Sequence, residues 1–173
     1  MSMICILMAL FYNNQISTQS GIYLGDIWKF EEYEYERGHD FIQWVFPSDE
    51  VSSVNSLAPT VTNLDIEAFS TSCKLRLRLN RSFIQFLDFL GLSMIDDVVY
   101  VSNQGKYYLR VLRPNHNWQR ITRVLRCLCL LGLKDKARAF FVFLEKTHKV
   151  HGINLITFNY WQKAAQLLKN DTE

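Results

Sequence analysis

The sequence has few glycines and prolines and no recognisable catalytic signature. Its 173 residues include only seven Gly and three Pro, which disfavours a turn-rich β-sandwich and favours long helices. It contains no G-x-S-x-G elbow, no P-loop and no dinucleotide-binding fingerprint. We therefore expect a protein that is not an enzyme and that needs no cofactor.

Cysteines are also few, and their spacing is uninformative for metal binding. The four residues form neither a C-x-x-C pair nor a zinc-ligand pattern. Cys127 and Cys129 lie in the apolar run 125–131, where a thiol usually behaves as a small buried hydrophobe and is chemically inert. We expect reduced cysteines, no metal site and an intracellular, cytoplasmic location.

Long hydrophobic runs are absent. The apolar stretch 3–11 has nine residues, no preceding Lys or Arg and no clear cleavage site, whereas a spanning helix needs about 20 apolar residues. We expect a short helix that packs on the core, and no transmembrane segment.

The chain nevertheless has ample material for a core, since 49% of its residues are hydrophobic and 14% are aromatic. This content and the chain length predict a single domain over residues 1–173.

The charged residues are segregated along the chain. Residues 1–71 carry ten acidic and two basic side chains, and residues 72–152 carry fifteen basic and five acidic ones. Because the two imbalances are comparable in size, we expect the two parts to attract each other.

Apolar periodicity predicts a mainly α, irregular multi-helix bundle. One signal is not helical: 98–101 and 107–111 flank Asn103-Gln-Gly105, which favours one small β-hairpin around 98–111. Thr62 and Asp65 resemble a helix-capping pair, and Gly91 and Gly132 follow predicted helix ends. The predicted helices cover 26–46, which Pro47 ends, 62–69, 74–90, 117–131, 135–148 and 157–168.

Two long motifs resemble the conserved region of the opioid growth factor receptor family. The first is Glu36-x-x-His39-Asp40-Phe41-Ile42-Gln43-Trp44-Val45-Phe46-Pro47, and the second is His116-Asn117-x-x-Arg120-Ile121-Thr122-Arg123-Val124-Leu125. Phe41 stands where the family usually has Tyr, and Val45 where it has Leu.

The resemblance implies a receptor-like domain that binds a peptide or protein ligand and regulates growth. The family's named ligand is the pentapeptide Met-enkephalin. A nuclear or membrane-associated location is implied by the resemblance alone, and the family supplies no catalytic residues or cofactor that could be assigned here.

The polar residues of the two motifs form the candidate site. On the predicted helix 26–46, Glu36 and the polar residues that follow it share one face, and Arg120 and Arg123 lie one turn apart on the second motif. His116 and Asn117 are placed to cap that helix. We expect the two faces to meet, so that Arg120 or Arg123 pairs with Glu36 or Asp40. This network either fixes helix register or lines a cleft for a peptide or anion. The set comprises Glu36, His39, Asp40, Gln43, Trp44, His116, Asn117, Arg120 and Arg123.

A nucleic-acid-binding module that uses the basic segment 74–126 is the first alternative. Its clearest patch would be formed by Lys74, Arg76, Arg78 and Arg81. No base-reading motif accompanies this patch, and the isoelectric point near 8.3 is lower than nucleic-acid-binding domains usually have.

A carboxylate–histidine metal protein is the second alternative. Glu36-x-x-His39 and Glu145-x-x-His148 would supply half of a di-iron site, and Glu67 and Asp88 are loose candidates for the other half. His148 also extends an apolar stripe from Leu144, which favours a histidine at the edge of the core.

Overall fold

The computed structural model describes residues 6–52, 55 and 57–165. It confirms a mainly α fold with one small antiparallel hairpin. The chain divides into two compact units, Met1–Ser82 (unit 1) and Phe83–Glu173 (unit 2), and the division falls within the long helix that spans Cys73–Leu90. A single domain over 1–173 stays a prediction.

The helices before the division are short, apart from α5 and α6. They are α1 (Leu7–Tyr12), α2 (Leu24–Ile27), α3 (Glu32–Arg37), α4 (Phe41–Val45), α5 (Asn63–Thr71) and α6 (Cys73–Leu90). Three longer helices dominate unit 2. Its elements are β1 (Leu92–Ile95), β2 (Val98–Val101), α7 (Gln104–Tyr107), a π-helix (Tyr108–Leu112), α8 (Asn117–Leu130), α9 (Lys134–His151) and α10 (Leu155–Ala165).

The core of unit 1 is aromatic. Phe11 and Tyr12 of α1 are fully buried. The Phe11 ring lies 5.4 Å from that of Trp44, and the Tyr12 ring lies 5.2 Å from that of Phe69. The Tyr12 hydroxyl also donates to the Val45 carbonyl, which satisfies a buried polar group. This confirms that the N-terminal apolar run forms a short helix packed on the core.

The predicted long helix over 26–46 is wrong. The structure forms α2, α3 and α4 in its place. Two local features divide the run. The Glu34 carboxylate accepts the Glu31 amide at 2.9 Å and so starts a new helix. Gly38 is extended (φ −69°, ψ 115°), and a Cβ there would lie 2.7 Å from the Phe41 ring. The close contact at Gly38 therefore accompanies a helix end.

The helices α5 and α6 agree with their predictions. The Asp65 carboxylate accepts hydrogen bonds from the Thr62 amide at 3.0 Å and from the Thr62 hydroxyl at 2.6 Å. It also accepts the Met8 amide at 3.1 Å, so the capping residue ties α1 to α5. Gly91, with φ +79°, follows α6 directly, as the sequence predicted.

The hairpin exists, but its partner strand and turn were predicted wrongly. β2 pairs with Leu92–Ile95, not with residues 107–111, which are helical. The turn is Asp96-Asp97, with φ values of +48° and +57°, and a type I′ hairpin turn needs a positive φ at both positions. Asn103 belongs to a helix start, because its side chain accepts the Lys106 amide at 3.0 Å.

The helices α8, α9 and α10 pack together in unit 2 and confirm the predicted segments to within a few residues. The fully buried Trp161 donates from Nε1 to the Trp118 carbonyl at 3.1 Å and so joins α10 to α8. The predicted end of the last helix at Leu168 lies outside the described residues. No helix in the described part of the chain is both long and apolar enough to cross a membrane.

The cysteines differ sharply in their surroundings. Cys73 is exposed, whereas Cys127 and Cys129 are buried, and none of these three is in a disulfide. Burial raises the pKa of the Cys129 thiol to about 11 and that of the Cys127 thiol far above its ordinary value. Both thiols are therefore neutral at pH 8, where the thiolate is the reactive form.

We expect Ellman's reagent at pH 8 to modify Cys73 rapidly in a Cys5→Ser variant. Cys127 and Cys129 should react only after denaturant is added, because in the folded state both are shielded from solvent and their thiols stay protonated. Reaction of one thiol equivalent before unfolding, and of three in total after it, would confirm this. Three equivalents released at one rate from the folded protein would contradict the observed burial.

Candidate functional site

The first motif lies entirely in unit 1, and its residues do not share one helix face. Glu36 is in the last turn of α3, His39 and Asp40 lie between helices, and Gln43 and Trp44 are in α4. The prediction of a common face is therefore wrong, since it assumed one continuous helix. Trp44 is buried against Phe11. Gln43 is only 6% exposed, and its Oε1 has no hydrogen-bond partner among the described residues.

The second motif lies in unit 2 and, as predicted, begins helix α8. Asn117 and Arg120 are buried. The Arg120 guanidinium lies 5.9 Å from the centroid of the Phe89 ring. Burial lowers the pKa of the Arg123 guanidinium from its ordinary value, because the charged form loses solvation. The two motifs thus belong to different units, and pairing of Arg120 or Arg123 with Glu36 or Asp40 stays a prediction.

Asn115, which the sequence analysis overlooked, organises the start of α8. Its Nδ2 donates to the carbonyls of Leu109 at 3.0 Å, Arg113 at 2.6 Å and Arg110 at 3.3 Å. Its Oδ1 accepts the Asn117 amide at 2.7 Å. The prediction that His116 caps this helix through its side chain is wrong, because His116 is the N-cap residue but makes no side-chain capping bond. An Asn directly after Pro114 and before a helical pattern was the available signal.

A groove beside α8 and α10 is the candidate site that these features create. It encloses about 410 Å³, within the range of small-ligand and peptide pockets. Trp118 and Tyr160 contribute aromatic rings, and Tyr160 is 61% exposed. None of the described lining residues is charged. They are Asn115, Trp118, Gln119, Thr122, Thr157 and Tyr160.

Trp118 is held firmly within this groove. Its Nε1 donates to the Val111 carbonyl of the π-helix at 2.8 Å. Its own carbonyl accepts from the Thr122 hydroxyl at 3.1 Å and from Trp161 at 3.1 Å. The aromatic wall is therefore preorganised, whereas Gln119 and Tyr160 are exposed. Such a surface can stack on an aromatic or apolar side chain and offer hydrogen bonds to peptide groups.

The basic residues considered for nucleic acid are held by contacts within unit 1. Arg76 donates to the carbonyls of Phe69 at 2.6 Å and Ser70 at 2.5 Å, near the end of α5. The guanidinium groups of Arg78 and Arg81 lie 5.0 Å and 4.1 Å from the centroid of the Trp28 ring. Three of the four residues of the predicted basic patch thus have partners within the chain itself.

His148, which belongs to one of the two Glu-x-x-His turns considered for metal binding, contacts neighbouring protein groups. Its Nδ1 lies 2.7 Å from the Ile153 carbonyl oxygen, and its ring stacks on Phe158 at 4.2 Å. Among the residues that the structure describes, no three His, Cys, Asp or Glu side chains come together as metal ligands.

Comparison with known families gives this architecture its context. Residues 6–169 match the family described as "Opioid growth factor receptor (OGFr) conserved region". The chain belongs to the opioid growth factor receptor family. The match includes both motifs and the whole groove beside α8 and α10.

Relatives within the family agree with this assignment. The opioid growth factor receptor of Mus musculus is 34% identical over 163 residues, covering 87% of this chain and 26% of the receptor. Opioid growth factor receptor-like protein 1 of Mus musculus is 33% identical over 132 residues, covering 72% of this chain and 28% of that protein. The Homo sapiens receptor is 31% identical over 168 residues, covering 90% and 25%. The chain thus spans about a quarter of the length of these relatives. No solved structure is significantly similar to it.

Proposed function

We propose that this chain acts by binding rather than by catalysis, and that the groove beside α8 and α10 holds an extended peptide or protein segment with uncharged side chains. The observation that carries this proposal is the groove's lining. It combines two aromatic rings with amide and hydroxyl groups and has no charged member among the described residues. The relatives are named receptors, which supports a binding role.

The chemistry of the lining favours a peptide over an anion or a metal ion. Peptide groups need neutral donors and acceptors, which the Gln119 amide and the Thr122 and Thr157 hydroxyls can provide. An anion would need positive charge, and the groove has none among its described residues. No nucleophile paired with a base lines it, which supports a role without catalysis.

Isothermal titration with Met-enkephalin tests the proposal, since the family's named ligand is a short peptide. We expect binding that changes little between about 50 and about 500 mM salt, because no ion pair forms in the groove. Tyr160→Ala should weaken binding about tenfold through the loss of one aromatic contact.

Ile156→Ala is the matched control, because Ile156 lies on the same helix and is 72% exposed but does not line the groove. It should bind like the unaltered chain. If both variants lose affinity equally, or if a scrambled pentapeptide binds as well as Met-enkephalin, the groove is not a selective peptide site. If Met-enkephalin produces no heat at either of two well-separated temperatures, it is not a ligand of this chain.

A further inference from the structure

A second groove in unit 2, separate from the site proposed above, lies between the hairpin and α9. It encloses about 460 Å³. The strand β2 contributes Val98 and Val99, neighbours whose side chains point to opposite faces of the strand. This lining is consistent with a groove that follows the edge of the strand. One side of α9 forms its other wall through Asp135, Arg138, Val142 and Lys146.

The edge of β2 in this groove carries unpaired backbone groups. Ile95 and Val98 close the two-residue turn, so Val98 and Tyr100 are the residues whose amides and carbonyls bond to β1. The bond from the Ser102 amide to the Gly91 carbonyl continues this alternation. The backbone groups of Val99, which lines the groove, and of Val101, the next outward-facing residue on the same edge, therefore point away from β1. No further strand pairs with this edge in the described part of the chain.

The direction of β2 along α9 follows from contacts at its two ends. Before the strand, Asp97 pairs with Lys136 in the first turn of α9. After it, the Tyr107 ring lies 5.9 Å from that of Phe143, and the Tyr107 hydroxyl lies 3.1 Å from the Thr147 hydroxyl. The strand thus runs in the same direction as α9, and Lys146 lies toward its C-terminal end.

The charged residues at one end of the groove are paired with one another. Asp97 is paired with Lys136, and Asp135 lies 3.9 Å from Arg138. Lys146 forms no ion pair with any residue that the structure describes. Between the two ends, Val98 and Val142 are both nearly half exposed. The groove therefore offers a strand edge, an apolar middle and one cation at a known end.

We propose that this groove binds an extended peptide segment that adds as a third strand to β2, antiparallel to it. Eleven helical steps from Asp135 to Lys146 span about 16 Å, which about five extended residues cover. Antiparallel addition places the N-terminal end of the segment beside Lys146, so an acidic residue belongs there. Aliphatic or β-branched side chains fill the apolar middle, and the backbone bonds to Val99 and Val101.

The probe is the synthetic peptide acetyl-Asp-Val-Thr-Val-Thr-amide, titrated against the full chain by calorimetry and by amide hydrogen exchange. We expect one-to-one binding that slows exchange of the Val101 amide. The same peptide N-methylated at the alternate amides that face β2 should not bind, because it keeps the side chains but cannot pair with the strand. Lys146→Glu should weaken binding about tenfold by replacing attraction with repulsion, and a Lys-first peptide should recover that loss.

Lys163→Glu is the matched charge control, since Lys163 is exposed on α10 and does not line this groove. It should leave binding unchanged. The proposal is overturned if the probe fails to bind, if the N-methylated peptide binds equally well, or if Lys163→Glu has the same effect as Lys146→Glu. Sedimentation that shows a dimer competing with the probe would assign the edge to a second copy of the chain and overturn the peptide as its occupant.

Discussion

Replacing Gly91 with alanine is expected to lower the free energy of unfolding by about 3 kcal/mol. Gly91 has a φ of +79°, which costs an L-residue about 1–2 kcal/mol. An added Cβ would also lie 2.5 Å from the Asn103 carbonyl oxygen and 2.8 Å from the Tyr107 nitrogen. Both neighbours are backbone atoms, so relief requires movement of the chain between β2 and α7.

Gly152→Ala is the control that separates the cost of the left-handed backbone conformation from the cost of the close contacts at Gly91. Gly152 has a φ of +70° and ends α9, but a Cβ there meets no atom within 4 Å. It should therefore lose only about 1 kcal/mol, the cost of the left-handed conformation. Urea unfolding followed by circular dichroism measures both values. Equal losses in the two variants would mean that the close contacts at Gly91 do not contribute to the change in the free energy of unfolding.

The elements that the sequence predicted correctly have their determinants close together in the chain. The Thr62–Asp65 pair starts α5, and glycines with positive φ follow α6 and α8. The apolar stripes of α8, α9 and α10 pack against one another and are long enough to show helical periodicity. Local signals of this kind are sufficient because capping and helix termination depend on a few adjacent residues.

The run 26–46 could not be predicted from periodicity, because three short helices in succession can imitate one long amphipathic pattern. What divides them is partly the packing of side chains within the run itself. The Phe41 ring packs on the backbone at Gly38 and contacts the rings of Phe30 and Tyr35, at 5.3 Å and 4.8 Å. A capping glutamate at position 34 was visible in the sequence, but it was indistinguishable from a solvated helical residue.

The partner strand of the hairpin was predicted wrongly for a different reason. Asn103 and Gly105 suit a hairpin turn, and they suit a helix start equally well. Asp96 and Asp97 adopt positive φ, which Asp accepts more readily than most residues. The observed strands are joined by the two residues 96 and 97, whereas the predicted strands would be joined by the five residues 102–106. The shorter connection forms the hairpin.

None of the nine residues selected from the sequence is among the described residues that line the proposed groove. The second motif begins α8 beside the groove, and its positions 118, 119 and 122 line it. The predicted charged residues have other surroundings: Arg120 is buried near Phe89, and Arg76 binds carbonyls near the end of α5. Contacts between guanidinium groups and distant rings or carbonyls leave no sequence pattern, which is why a charge count alone suggested a surface.

Asn115→Ala is expected to cost about 2–3 kcal/mol of unfolding free energy, because it leaves three carbonyls and one helix-start amide without their partner. The lost bonds join the π-helix to the first turn of α8. Since Asn115 and Trp118 both line the groove, the variant should also bind Met-enkephalin more weakly under conditions where it remains folded. Thermal unfolding followed by titration below the transition measures both effects.

Asn115→Asp identifies which of these bonds matter. It keeps the oxygen that accepts the Asn117 amide but replaces the donating Nδ2 with an acceptor facing the carbonyls of Leu109 and Arg113. We expect it to be at least as destabilising as the alanine variant, because the donors supply most of the contacts and the new oxygen repels the carbonyls. Asn159→Ala, at an exposed position of α10, should change stability by less than about 0.5 kcal/mol. Recovery of stability by the aspartate would show that capping of α8, rather than the link to the π-helix, fixes the groove's wall.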